Sequence, residues 1–115
     1  MQKKFESLEV RKVDNARGGY GSIYSKDIFF EDDFGGSIAN LIHVTVPPGS
    51  SVGYHEHSGD EEVYFILEGN GKVRDDEVEY DVGPYDTVLT NSGHHHGIEN
   101  TGSRDLKLLA IISKV

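Results

Sequence analysis

Two histidines one residue apart, followed by a turn and a carboxylate that opens a β-rich run, constrain this chain more than any other feature. The stretch reads Gly49-Ser-Ser-Val-Gly-Tyr-His55-Glu-His57-Ser-Gly-Asp-Glu-Glu62-Val-Tyr-Phe-Ile-Leu-Glu-Gly69. Successive side chains of a strand alternate between its faces, so His55 and His57 point the same way. Ser58, Gly59 and Asp60 supply turn chemistry, and Glu62 opens the next strand. Neighbouring strands lie about 4.8 Å apart, which lets two imidazoles and a returning carboxylate share one ion. His96, further along, is the fourth candidate ligand, and a closed β fold is the kind that would gather all four.

The rest of the chain reads as short strands broken by turns, with no convincing helix. Strands are expected over 7–13, 23–30, 38–46, 71–74, 78–82, 87–90 and 106–112. Pro47-Pro48-Gly49 stops the third of these, Asp75-Asp76-Glu77 reads as a hairpin turn, and Glu31 to Gly36 as an acidic turn. Asn15 to Gly21 is a glycine-rich connection. It lacks the Gly-x-Gly-x-x-Gly spacing and the following helix of a phosphate cradle, so a flexible loop is the better reading. Many short strands with regular turns point to an all-β sandwich or barrel.

The second histidine stretch, Tyr85-Asp-Thr-Val-Leu-Thr-Asn91-Ser-Gly93-His-His-His96-Gly-Ile-Glu-Asn100, makes the pattern specific. Together the two stretches resemble the paired motifs of the cupin superfamily. Gly49, His55, His57, Glu62 and Gly69 match the first motif at every position. Gly93, His96 and Asn100 match the second in register, while Tyr85 stands where that motif has glycine and Asn91 where it has proline. Both departures bear on turn geometry rather than on the ligand. The resemblance covers about half the chain and implies a double-stranded β-helix, the jelly-roll barrel. It divides a single domain, 1–115, into N-terminal strands and glycine-rich loop (1–36), first motif (49–69) and second motif (85–100).

At 115 residues a chain buries about two-thirds of its unfolded surface, enough for one core. Cysteine is absent, which excludes disulfides and thiolate metal sites. A net charge of −9, from 20 acidic against 11 basic residues, with no basic cluster beyond short pairs such as Lys3-Lys4, argues against nucleic acid and anionic membrane surfaces. No apolar run reaches membrane-spanning length, and residues from Met1 to Ser7 lack a signal-peptide stretch, so a cytoplasmic protein is expected.

If Glu62 faces the barrel interior, Tyr64 and Ile66 share that face and Val63, Phe65 and Leu67 look outward. Such an apolar outer patch needs cover, from an N-terminal strand or a second subunit. Cupins commonly pair through such a sheet, and a homodimer is the expectation. Among the remaining histidines, His94 and His95 read first as solvent-facing turn residues, although His94 shares parity with His96 and could line the site. His43 is either an acid or base of the inner pocket or a hydrogen-bonded structural residue. Tyr64, Tyr54 and Tyr20 could hydrogen-bond a ligand or simply fill space.

Three histidines and a glutamate suit Mn, Fe, Ni, Zn or Cu. The imidazoles must be neutral and the carboxylate ionised, so acid should release the ion. Four protein ligands in an octahedral sphere leave two positions for water, dioxygen or a bidentate substrate. The expected function is therefore a metal-dependent enzyme on a small oxygenated molecule, dioxygenase-like or isomerase-like, with His43, His94 and Tyr64 as candidate catalytic groups. The alternative is a non-enzymatic module that binds or senses a sugar or carboxylate. Fold alone does not choose between them.

Overall fold

Ten strands fold as two facing antiparallel sheets in the computed structural model, which describes residues 1–115. The strands are β1 (Arg11–Asp14), β2 (Ser22–Phe30), β3 (Ile38–Val46), β4 (Ser51–Glu56), β5 (Asp60–Glu68), β6 (Gly71–Asp75), β7 (Val78–Val82), β8 (Thr87–Thr90), β9 (His95–Asn100) and β10 (Leu106–Lys114). The larger sheet runs β1-β2-β3-β10-β5-β8 and the smaller β4-β9-β6-β7. The chain crosses repeatedly between them, which makes the all-β jelly roll expected from the sequence. The only helical pieces are three short 3-10 turns, and no helix is long and apolar enough to cross a membrane.

Period-two alternation sets the core. On β5, Glu62, Tyr64 and Ile66 are buried, while Val63, Phe65 and Leu67 are half-buried on the outer face. Val44 and Val46 of β3, Leu106, Leu108 and Ala110 of β10, and Val73 and Ile98 of the smaller sheet complete the sandwich interior. Leu106 and Leu108 are within 1 % of complete burial, so truncating either to alanine should cost about 2–5 kcal/mol.

The N-terminal segment differs from expectation. Phe5–Ser7 is a 3-10 turn and strand pairing begins only at Arg11, opposite Ser25. Strand β1 therefore extends the sheet beside β2 instead of covering its outer face. At Tyr85, where the motif has glycine, the backbone keeps the left-handed conformation that glycine favours (φ 71°) and leaves the ring exposed. Asn91, in place of proline, ties the adjoining turn to β5 through Nδ2 donating to Oε1 of Glu61 at 3.0 Å. Asn100 is buried where the two sheets join. Its Nδ2 donates to the carbonyls of Val46 and Arg104 at 2.8 and 2.7 Å.

Candidate metal centre

The four candidate ligands come from both sheets. His55 lies on β4 directly opposite His96 on β9. Val52 pairs with Ile98 and His55 with His96, so three steps along β4 face two along β9. This bulge at Gly53 and Tyr54 lets Val52 and His55 both face inward despite opposite parity. His57 sits one residue beyond the strand. Its N–H donates to the His94 carbonyl at 2.9 Å, and its carbonyl accepts from the Gly93 N–H at 2.6 Å, which prolongs the β4–β9 ladder. Glu62 arrives from β5 across the sandwich.

Their donor atoms converge. Nε2 of His57 lies 3.0 Å from Nε2 of His96 and 3.0 Å from Oε1 of Glu62. Nε2 of His96 lies 2.9 Å from the same carboxylate oxygen. His55 joins them, with all four donor atoms within 4.8 Å of one another. His57, Glu62 and His96 are buried, and His55 is half-buried.

The far side of each imidazole is also held. Nδ1 of His57 faces Oδ1 of Asp60 at 2.8 Å, Nδ1 of His55 faces the Gly53 carbonyl at 2.7 Å, and Nδ1 of His96 meets Oγ1 of Thr90 at 2.7 Å. A carboxylate and a carbonyl only accept, so Nδ1 of His57 and His55 carries the hydrogen and Nε2 presents a lone pair. Lone pairs and a carboxylate oxygen packed this closely repel one another unless a cation lies among them. Donors about 2.1 Å from one ion and at right angles to each other are about 3.0 Å apart, which is the separation found. The donor set therefore fits a divalent transition metal.

Electrostatics agree with this. Burial lowers the His55 pKa below its ordinary 6.5, the Gly53 carbonyl opposes the shift, and His96, Arg17 and His57 add to it. Burial, then the Glu62 charge, pushes the Tyr64 phenol well above its ordinary 10, so it stays protonated. Tyr64 stacks on His96 and lines a cavity of about 280 Å³ beside His55, His57 and Glu62. Val44, Val52, Ile98 and Leu108 supply its apolar walls, and Arg17 also lines it.

His43 and His94 are not brought to this cavity. On β3 it is Ile42 and Val44 that face the cavity. His43 points to the opposite face, edge-on to the Phe5 ring at 4.7 Å between centroids. The expectation of an inner-pocket acid or base at His43 gives way to an outer-face histidine. His94 is exposed and its Nδ1 is taken by Oδ2 of Asp76 outside the barrel, so shared parity with His96 did not carry it inward. His95 stacks on Tyr54 on the outer surface, with centroids 5.3 Å apart.

Three contributors escaped the sequence reading. Thr90 reaches His96 because β8 pairs with β5, Thr90 opposite Glu62, a register no local pattern reveals. Asp60 was read only as a turn residue. Arg17 lay in the segment read as a flexible loop. That segment is a tight 3-10 turn, Ala16–Gly18, packed against β4.

A family model described as "Cupin domain" matches residues 42–112. An oxalate-binding protein of Thermotoga maritima is 37% identical over 105 residues, covering 91% of this chain and 87% of that protein. The crystal structure of a predicted oxalate decarboxylase from Thermotoga maritima superposes with a TM-score of 0.97 at 33% identity, with 100% of both chains covered. An RmlC-like cupin from Shewanella frigidimarina shares the fold at a TM-score of 0.79 and 15% identity, over 98% of this chain and 89% of that one.

Proposed function

This chain belongs to the cupin family, and on that footing we propose that it holds one divalent transition metal at His55, His57, Glu62 and His96 and uses it to bind a small chelating carboxylate of the oxalate class. The observation that carries this is the triangle of donor atoms at 2.9–3.0 Å, with each imidazole tied back through Nδ1. When bound, the ion supplies Lewis-acid attraction for paired carboxylate oxygens. The chain supplies the rest. Val44, Val52, Ile98 and Leu108 exclude water and lower the local dielectric, which strengthens every charge interaction inside. The oxalate-binding relative supports the ligand class, and a cavity of about 280 Å³ suits a molecule of this size.

The test is calorimetry with oxalate on metal-free and Mn(II)- or Co(II)-loaded protein. Binding is expected only to the loaded form. Equal binding to both, or none to either, would overturn the reading.

One observation favours an enzymatic second reading, dioxygenase-like or isomerase-like. Tyr64 lines the cavity and its phenol stays protonated, which makes it a neutral proton donor there. Turnover of a chelating substrate that is lost in Tyr64→Phe would support it.

We propose also that two copies pair through the outer face of the larger sheet. Val63 stands between Ile111 and Leu89, and Phe65 beside Leu109, in an apolar row three strands wide.

A further inference from the structure

The turn between β1 and β2 brings one cation to the metal cavity and fixes it there. Arg17 lines the cavity with His55, His57, Glu62 and Tyr64. None of the chain's ion pairs uses its guanidinium, whereas Arg11, the other arginine at this cavity, is engaged by Asp27 at 3.2 Å. Arg17 is thus the arginine at this cavity whose charge no carboxylate of the chain takes up.

Its backbone is constrained by close packing against β4. Arg17 adopts the left-handed conformation (φ 53°, ψ 33°), as does Asn15 (φ 51°, ψ 47°). Side chains rarely settle there unless the surroundings dictate it. The surroundings here are β4. A Cβ on Gly53 would lie 2.2 Å from the Arg17 carbonyl oxygen, and one on Gly19 would lie 2.4 Å from the Ser51 carbonyl oxygen, so both glycines are required by close backbone contact. The Tyr20 N–H donates to Ser51 Oγ at 2.8 Å and the Ser51 N–H to the Tyr20 carbonyl at 2.9 Å. Gly53 is also the residue whose carbonyl holds Nδ1 of His55. One short segment of β4 thus positions both a metal-ligand candidate and the arginine.

We propose that Arg17 selects for dianionic chelators by taking the carboxylate oxygens that a metal-held ligand turns away from the ion. The inference rests on the function proposed above and extends it to specificity. A chelated oxalate uses one oxygen of each carboxylate and leaves two on its far edge, an arrangement that matches the planar fork of a guanidinium.

The test uses Co(II)-loaded protein and two chelators, oxalate and acetohydroxamate, the second monoanionic with a methyl group and an N–H where chelated oxalate carries its two outer oxygens. In Arg17→Gln, oxalate affinity should fall about 10- to 100-fold, with acetohydroxamate and metal affinities within about twofold of wild type. Arg17→Lys should lie between Gln and wild type, because it keeps the charge and loses the fork. Oxalate affinity unchanged in Arg17→Gln, or an equal loss for both chelators, would overturn the assignment and leave the functional reading standing. Failure of loaded wild-type protein to bind oxalate would overturn both.

Discussion

The ring of Tyr64 lies flat on that of His96, with centroids 4.6 Å apart and planes 13° from parallel. Tyr64 belongs to the larger sheet and His96 to the smaller, so the stack ties a candidate ligand to the opposite wall of the barrel. Tyr64→Phe keeps the ring and should leave metal affinity close to wild type. Tyr64→Ala opens a cavity, costs about 3–5 kcal/mol, and should weaken metal binding by freeing His96. Chemical denaturation and metal titration of the two variants measure these effects separately.

Thr90 contributes one oxygen to the centre, at 2.7 Å from Nδ1 of His96. Thr90→Val conserves shape and removes only that partner. Metal affinity should drop about 10- to 100-fold. The protein should also lose about 1–3 kcal/mol, because a buried imidazole nitrogen is left without a partner. Metal titration with a competing chelator checks the first figure and urea unfolding the second.

Burial beneath Phe5 is the main cause that holds the His43 pKa below 6.5, with Lys107 and Lys26 adding to it and Glu68 opposing. The folded protein therefore takes up a proton here less readily than the unfolded chain. The contribution to stability is fully present above 6.5 and is lost as pH falls through the lowered value. Phe5→Ala uncovers the imidazole and should move its pKa back toward 6.5. An NMR titration of the His43 ring protons in wild type and variant reads the shift directly.

Phe65 sits at the middle of the apolar outer row of β5, beside Leu109 of β10. Phe65→Glu places a charge in the proposed pairing face and should convert a dimer to a monomer without disturbing metal content. Sedimentation or light scattering reports the change. A wild-type protein that is already monomeric would remove the pairing proposal.

The cluster of His55, His57, Glu62 and His96 was legible because His-x-His, a turn and a carboxylate at fixed spacing encode strand geometry directly. Strand ends at Ile38, Val46, Thr87 and Thr90 were legible for the related reason that prolines, glycines and β-branched runs mark them. His43 was harder. Alternation puts it with Leu41 and Thr45 on the less apolar side of β3, opposite Ile42, Val44 and Val46, but no local pattern shows that Phe5 covers that side. The segment from Ser7 to Val10 has the composition of a strand but no neighbour to pair with, and pairing rather than propensity decides. Arg17 was out of reach because its placement depends on Gly53, more than thirty residues away in β4, a long-range backbone contact that leaves no local signature.

The most direct test of the central claim is anomalous diffraction from crystals of protein loaded with one equivalent of Mn(II) or Co(II). A single peak per chain is expected, about 2.0–2.3 Å from Nε2 of His55, His57 and His96 and from a Glu62 carboxylate oxygen. An ion found elsewhere, or no peak at this cluster, would contradict it.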